Sequence, residues 1–261
     1  MSKLKSEASE VTRVRKISTD IQVVMKEINC AKISMNSNFP IHLAFGHEIL
    51  AACCAIVKDK GDKFCLTHRN IHFNIALSEP SHHSRIVEEA IVSKEGLNSG
   101  QFGCMSMRNI DAGVAYSSSI LANNLPVGLG ISSTLESGSV CWIQTGDGAI
   151  EEGCFYESLV FARARDLPCL VLVENNNWSL GTSVLERRKS IDLEMLGSSV
   201  GFPYYLIDKN DPIETILGIL KRARRKAKHG PVVVEAIVKT EGGKYDPDRG
   251  YVSYHHGPIS D

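Results

Sequence analysis

The pattern that most constrains the fold begins at Ser139, where short apolar runs start to alternate with longer segments of helical periodicity. The apolar runs have the length of buried strands, and the segments between them are long enough for helices. They are residues 140–144, 151–165, 169–173, 211–229 and 232–238. This alternation is typical of βαβ units. The sequence therefore predicts an α/β protein, in which helices cover both faces of a mostly parallel sheet.

The N-terminal half shows helical periodicity but weaker strand signals. Ser18 or Thr19 is the expected N-cap of a first helix, and further helices are expected over residues 48–57 and 84–94. Residues 1–17 alternate acidic and basic side chains, and we expect them to form a loosely held N-terminal arm. The remaining residues, 18–261, are expected to form one domain.

Charge and composition exclude several classes of protein. The chain of 261 residues has 29 basic and 30 acidic side chains, and 43% of its residues are apolar. A disordered chain would have a lower apolar content and a higher net charge, and a nucleic-acid-binding protein usually carries a large positive excess. The basic cluster at residues 221–228 is better interpreted as the solvated face of a helix, so no nucleic-acid partner is expected.

Two further features bear on the cellular location. The longest apolar run, residues 49–57, is much shorter than the roughly 20 residues of a membrane-spanning helix. The eight cysteines form no CxxC pair and lie mostly in apolar segments, which favours buried free thiols. The nine histidines show no spacing typical of metal ligands. We expect a cytoplasmic protein without membrane contact.

Two loops carry residues that are suited to binding a metal ion and a phosphate group. Thr145-Gly-Asp-Gly148 follows one predicted strand, and Glu174-Asn-Asn-Asn177 follows the next. The carboxyl ends of parallel strands meet at one edge of a sheet, and a carboxylate and an amide oxygen brought together there suit Mg²⁺. The glycines on either side of Asp147 would let a phosphate approach the backbone. Each motif alone could equally be an ordinary turn.

Together the two loops resemble the thiamine diphosphate signature. The resemblance is closest to the alpha subunit of the decarboxylating first component of 2-oxo acid dehydrogenases, and it covers roughly residues 40–240. The segment Glu174-Asn-Asn-Asn-Trp-Ser-Leu-Gly-Thr-Ser-Val184 is similar to the metal-binding loop of that family. The resemblance implies the thiamine diphosphate-binding fold, with Mg²⁺ held by Asp147, Asn176 and the backbone carbonyl of Trp178. It also places Leu180 beside the cofactor, although core packing is an alternative role for that side chain.

Other matches extend the implied site. Phe39-Pro-Ile-His-Leu-Ala-Phe-Gly-His-Glu48 resembles the segment with a catalytic histidine, here His42, and Thr67-His-Arg69 resembles a diphosphate contact. Arginine suits that role because its planar fork pairs with phosphate oxygens. The segment from Ser119 to Gly130 is similar to the stretch beneath the aminopyrimidine. The implied cofactor contacts are His68, Arg69, Ser119, Leu121, Gly146, Asp147, Gly148, Ala149, Asn176, Trp178 and Leu180.

The resemblance fails near the C-terminus. Dehydrogenase alpha subunits usually have a histidine-rich loop after the last strand, whereas residues 239–247 contain no histidine. Tyr254-His-His-Gly-Pro258 instead resembles the substrate-contacting segment of transketolases, and Glu152-Gly153 is also closer to that group. His255 and His256 are therefore additional catalytic candidates, with a solvated terminal segment as the alternative.

The resemblance also implies a partner. Thiamine diphosphate enzymes need a second domain, whose glutamate contacts the aminopyrimidine, and the sequence shows no such domain. We therefore expect a beta subunit in an α2β2 tetramer. The expected reaction is decarboxylation of a 2-oxo acid, after which the acyl carbanion passes to an acceptor, either a lipoyl carrier or an aldehyde. Two alternatives remain open: a split transketolase or carboligase that uses a ketose, and a non-catalytic scaffold that binds the cofactor.

Overall fold

The computed structural model describes residues 2–36, 41–246 and 250–252. Within these residues the helices, numbered in chain order, are α1 Ser2–Ser34, α2 Glu48–Val57, α3 Ile71–Leu77, α4 His83–Ala90, α5 Gly103–Ser106, α6 Asn124–Ser132, α7 Gly153–Ala164, α8 Val184–Arg187, α9 Leu193–Val200 and α10 Ile213–Ala227. Short 3₁₀ turns cover Pro80–His82 and Ala149–Glu151.

The strands form one large sheet and two small hairpins. They are β1 Lys63–Thr67, β2 Val114–Ser118, β3 Cys141–Gly146, β4 Cys169–Asn175, β5 Trp178–Ser179, β6 Thr182–Ser183, β7 Tyr204–Ile207, β8 Val232–Ile237, β9 Lys244–Asp246 and β10 Gly250–Val252. The six-stranded sheet has the order β2-β1-β3-β4-β8-β7, and all of its pairs are parallel. The predicted α/β class with a mostly parallel sheet is confirmed.

The hydrophobic core has two layers, one on each face of the sheet. Successive side chains of a strand point to opposite faces. Accordingly, Trp142 and Leu170 pack with α1, α2 and α10, whereas Ile143 and Val171 pack with α6, α7 and α9. Both faces are therefore covered by helices, as predicted, and the strand ends remain as the place where a ligand could enter.

The first helix differs from the sequence prediction. It begins at Ser2, so the predicted start at Ser18 or Thr19 is wrong, and the described part of the expected arm, residues 2–17, is helical. Residues 2–17 contain neither glycine nor proline and are rich in good helix formers, so the helix continues through them. Val14 and Ile21 are both fully buried on this helix. The treatment of residues 18–261 as a single domain stays a prediction.

The basic helix α10 is partly buried, contrary to expectation. Its apolar residues face the core, but Arg224 is only 5% exposed and pairs with Asp59 and Asp62. A guanidinium can be buried when carboxylates satisfy its donors. Among the residues that the structure describes, no helix is both long enough and apolar enough to cross a membrane.

Candidate functional site

A cavity of about 550 Å³ opens at the carboxyl ends of the central strands. Every site residue that the sequence predicts within the described part of the chain lies on its wall. These residues are His42, His68, Arg69, Ser119, Leu121, Gly146, Asp147, Gly148, Ala149, Asn176, Trp178 and Leu180. His255 and His256 lie outside the described residues. The parallel topology thus gathers residues that are separated by more than 130 positions in the sequence.

Asp147 is a buried carboxylate that still lacks full charge compensation. It follows β3 directly and is 2% exposed. Burial raises the pKa of Asp147 to about 6, although Arg187 and the backbone N–H of Asn176 oppose that rise. Arg187 Nη2 donates to Asp147 Oδ2 at 2.9 Å. Because a divalent cation would stabilise the ionised carboxylate further, this environment fits a metal ligand.

Asn176 lies between β4 and the β5–β6 hairpin, and its amide is held at both ends. Its Oδ1 accepts a hydrogen bond from the Trp178 backbone N–H at 3.1 Å, and its Nδ2 donates to Thr240 Oγ1 at 2.8 Å. Asp147 and Asn176 line the same cavity, so an oxygen ligand from each of the two loops is available to one ion.

Leu180 occupies the turn of the β5–β6 hairpin in a strained conformation. Its φ angle is +56°, a left-handed value that costs a branched side chain about 1–2 kcal/mol. The side chain is 60% exposed and lines the cavity, so core packing does not explain it. Strain of this kind is often found at ligand-binding sites.

Two glycines shape the backbone around Asp147. A Cβ atom on Gly148 would lie 2.6 Å from Ser179 Oγ, so glycine is what lets the hairpin approach this loop. A Cβ atom on Gly146 would have one neighbour within 4 Å, the Glu174 carbonyl oxygen at 3.9 Å. Space therefore remains beside this part of the backbone, as a bound phosphate would require.

A group of cationic and imidazole side chains lines another part of the cavity. Arg69 is buried and donates to the Leu43 carbonyl oxygen. Burial lowers the pKa of Arg69, while the negative charge of Glu174 raises it. The rings of His42 and His68 meet edge to face, with their centroids 4.9 Å apart. A guanidinium and two imidazoles in one cavity provide donors suited to a diphosphate.

Sequence reasoning missed a second buried cluster beside the cavity. Glu174 Oε1 lies 3.1 Å from His47 Nδ1 and 3.2 Å from His72 Nε2, and its Oε2 accepts a hydrogen bond from Gln144. Burial disfavours ionisation of Glu174, but His72 and His47 outweigh it and hold the pKa of this carboxyl below its usual range. Burial lowers the pKa of His47. The one signal for this cluster in the sequence was that Gln144 and Glu174 stand at the ends of buried apolar runs.

This cluster brings two histidines together although their spacing in the sequence is not typical of metal ligands. The ligand atoms of His47, His72 and Glu174 lie within 4.8 Å of one another, a geometry that could hold a metal ion. The fold creates this grouping, since the residues are far apart in the sequence. The charge of Arg69 acts on both His47 and Glu174, and it disfavours a dication at this place.

Sequence reasoning also missed two arginines, Arg187 at the end of α8 and Arg188 directly after it. Arg187 and Arg188 both contact Glu151, at 3.3 Å and 2.8 Å, and Arg188 Nη2 donates to the Asp147 carbonyl oxygen at 3.2 Å. The Ser183–Glu186 capping box starts this short helix. The two arginines therefore tie the segment after the hairpin to the loop that carries Asp147.

Comparison with known proteins assigns the family. A model of the family described as "Dehydrogenase E1 component" matches residues 19–248, most of the chain. The chain belongs to the dehydrogenase E1 component family. This membership confirms the resemblance inferred from the two loop motifs, and it accounts for the position of the cavity at the strand ends.

Named relatives within this family are pyruvate dehydrogenase E1 component alpha subunits. The protein of Rickettsia prowazekii is 29% identical over 204 residues, which cover 76% of this chain and 61% of the relative. The protein of Rhizobium meliloti is 25% identical, with coverages of 75% and 57%. The E1 chain thus spans about three fifths of the length of these relatives.

Structural comparison identifies the same fold in transketolases. Transketolase from Campylobacter jejuni superposes with a TM-score of 0.60 and 16% identity, over 88% of this chain and 37% of that chain. Transketolase from Leishmania mexicana gives a TM-score of 0.58 and 14% identity, over 89% and 36%. At these identities the similarity concerns the fold alone, and it confirms the fold class predicted from the sequence.

Proposed function

We propose that this E1 chain is the alpha subunit of a thiamine diphosphate- and Mg²⁺-dependent enzyme that decarboxylates a 2-oxo acid. The observation that carries the proposal is the position of Asp147 and Asn176 in one cavity with Arg69 and His68. Hard oxygen ligands for a divalent cation and donors for phosphate oxygens therefore lie within reach of a single ligand. Thiamine diphosphate combines these two needs, because its diphosphate binds through a metal ion.

Different residues of the chain would bind the different parts of that ligand. Asp147, Asn176 and the Trp178 carbonyl would hold Mg²⁺, and Arg69 with His68 would bind the diphosphate. The backbone around Gly146, Gly148 and Ala149 would take the remaining phosphate oxygens, and the space beside Gly146 supports this role. Ser119 and Leu121 would contact the aminopyrimidine. When bound, thiamine diphosphate supplies the electron sink for cleavage beside the substrate carbonyl.

His42 is the proposed catalytic acid and base. It is 3% exposed, lines the cavity, and lies edge to face with His68. Its buried imidazole would donate to the carbonyl oxygen of the 2-oxo acid and accept the proton back after cleavage. His255 and His256 remain candidates for further contacts with the substrate.

Exposed apolar side chains at the rim of the cavity support the proposal that a partner subunit completes the site. Ile120 is 68% exposed, Leu121 43% and Leu180 60%, and all three line the cavity. Exposed apolar groups beside a polar cavity are typical of an interface. We infer a beta subunit that carries the pyrimidine-binding domain and its glutamate, in an α2β2 assembly that passes the acyl group to a lipoyl carrier. The eight cysteines are free thiols, which supports a reducing, cytoplasmic location.

The test is calorimetric titration of thiamine diphosphate into the chain co-purified with its beta-type partner, with and without Mg²⁺. We expect metal-dependent binding in the wild type and its loss in Asp147→Ala. Decarboxylation of 2-oxo acids should then require His42, so His42→Ala should abolish turnover and leave cofactor affinity nearly unchanged. The same complex would be assayed with ketose donors and aldehyde acceptors. Turnover of ketoses alone would replace the decarboxylase with a transketolase, and absence of cofactor binding would favour a scaffold.

A further inference from the structure

The buried cluster behind the cavity connects to the amide of Asn176 through a continuous series of hydrogen bonds. Asn176 Nδ2 donates to Thr240 Oγ1 at 2.8 Å, and that hydroxyl lies 2.8 Å from His47 Nε2. His47 Nδ1 lies 3.1 Å from Glu174 Oε1. Four side chains from three segments of the chain thus form one path from a buried carboxylate to the proposed metal ligand.

The chemistry of these groups gives the path a direction. The Trp178 backbone N–H can only donate, so the oxygen of the Asn176 amide faces it and the amide NH₂ group faces Thr240. Because the Thr240 oxygen accepts from that NH₂ group, its hydroxyl proton is directed to His47 Nε2, and His47 Nδ1 then carries the proton that faces Glu174. The hydroxyl oxygen keeps its lone pairs for the N–H of Asn176.

This direction matters because an asparagine side chain has two ends of nearly equal shape. Only the oxygen end can bind a divalent cation, and a flipped amide would present an NH₂ group to it. The Trp178 backbone N–H donates to Asn176 Oδ1 at 3.1 Å, so both ends of the amide have partners consistent with a single orientation.

We propose that Thr240 and His47 are positioning residues that, with Glu174, fix which end of the Asn176 amide faces the metal. This inference rests on the proposed function, because it assumes that Asn176 binds the cation. It assigns a role to Glu174, the first residue of the second loop motif, and to His47 and Thr240, which lie outside both loop motifs. Outer partners of this kind orient ligands in metal sites, and their loss typically weakens metal binding by about 10–100-fold.

The test is a double-mutant cycle on metal affinity. Mn²⁺ binding to the co-purified complex with saturating thiamine diphosphate would be measured by electron paramagnetic resonance. The variants are Thr240→Val, Thr240→Ser, Asn176→Asp and the double variant Asn176→Asp/Thr240→Val. Aspartate presents an oxygen at either end, so its orientation needs no donor–acceptor control.

We expect Thr240→Val to weaken Mn²⁺ binding by about tenfold and Thr240→Ser, which keeps the hydroxyl, to stay within about twofold. In the Asn176→Asp background, Thr240→Val should change the affinity by less than about twofold. Equal losses in both backgrounds would mean that Thr240 acts only through packing, and would overturn the proposal. Wild-type affinity in Thr240→Val would also overturn it.

The Asp147→Ala variant separates failure of this inference from failure of the proposed function. If Asp147→Ala loses metal binding and Thr240→Val does not, the function stands and the positioning role fails. If the wild-type complex binds no Mn²⁺, both fail. Thermal unfolding of each metal-free variant checks that Thr240→Val and Thr240→Ser are folded to the same extent.

Discussion

Two buried carboxylates lie at opposite ends of the strands of the same parallel sheet, and their surroundings differ. Asp62 precedes β1 and accepts hydrogen bonds from Arg224, Trp142 and the Val140 backbone N–H. Glu174 is the penultimate residue of β4, at the carboxyl ends of the strands, and contacts two histidines and a glutamine beside a cavity of about 550 Å³. The first cluster is closed by protein on all sides, and the second opens onto space.

This difference separates a stabilising cluster from a functional one. A buried carboxylate whose lone pairs are all used by protein donors contributes to folding, because removing it leaves its partner charge unpaired. Beside the cavity, Glu174 is also compensated, because His72 and His47 hold the pKa of its carboxyl below the usual range. Asp147, which lines the same cavity, instead keeps a raised pKa of about 6 despite its contact with Arg187, which indicates that its negative charge is incompletely compensated. Whether protein donors use all the lone pairs of a buried carboxylate is therefore a better guide to the role of that residue than its burial alone.

The largest expected effect concerns the saturated cluster. Asp62→Ala should lower the free energy of unfolding by about 3–5 kcal/mol, because Arg224 would remain buried without its main partner. Urea denaturation measures this change. Asp59→Ala is the matched control, since Asp59 is 65% exposed and also contacts Arg224, and it should cost less than about 1 kcal/mol. Similar losses in both variants would contradict the comparison.

Another buried carboxylate, Glu89 on α4, extends the comparison. It is fully buried and accepts four backbone N–H groups, from Asn98, Gly100, Phe102 and Gly103. Glu89→Gln replaces one acceptor oxygen with a donor that faces N–H groups, so we expect a loss of about 3 kcal/mol in the free energy of unfolding.

Glu88→Gln is the control, because this neighbour on the same helix is only half-buried. It should change stability by no more than about 0.5 kcal/mol. Chemical denaturation of both variants would decide the matter. If Glu89→Gln were as stable as Glu88→Gln, a buried carboxylate that accepts several hydrogen bonds would not be a sign of a stabilising role.

At the open edge, we expect substitutions to affect binding more than folding. Gly148→Ala should push Ser179 and the hairpin away from Asp147, because the new Cβ would lie 2.6 Å from Ser179 Oγ. Displacing the loops in this way should weaken Mg²⁺-dependent cofactor binding at least about tenfold in calorimetry. Gly153→Ala meets nothing within 4 Å and should leave binding unchanged. Equal affinities of the two variants would show that close approach of the hairpin is not required.

The smallest expected effect tests strain in the hairpin. Leu180→Gly should raise the free energy of unfolding by about 1 kcal/mol, because glycine adopts a φ of +56° without steric cost. Leu180→Ala removes the same exposed side chain but keeps a Cβ, so it should show no such gain. Thermal unfolding of the two variants separates the contribution of backbone strain from that of the side chain. A gain in stability in both variants would mean that the loss of exposed apolar surface, and not the relief of strain, is the cause.

The sequence predicted the part of the fold that rests on buried apolar runs. β3, β4 and β8 all lie where such runs indicated, and α2 has the predicted bounds. β1 and β2 were missed because polar residues border or end them, as in Lys63 and Ser118. The start of α1 was missed because its first turns carry few apolar residues, and helix propensity with later burial decides the outcome.

For the site, sequence motifs located the loops but not the network behind them. Asp147 and Asn176 follow strands, and strand ends have a defined place in a parallel sheet. Thr240 and His47 meet only because the loop after β8 folds back against the start of α2, as the Phe45–Gly242 bridge shows. A single sequence carries no signal for a contact between residues so far apart.

Asp147 and Asn176 are proposed to bind one divalent cation at the carboxyl ends of the strands. The most direct measurement is the anomalous scattering of Mn²⁺ in crystals of the complex grown with thiamine diphosphate. We predict a single peak about 2.1 Å from the Asp147 carboxylate and Asn176 Oδ1. A peak between His47, His72 and Glu174 instead, or none near Asp147, would contradict this account.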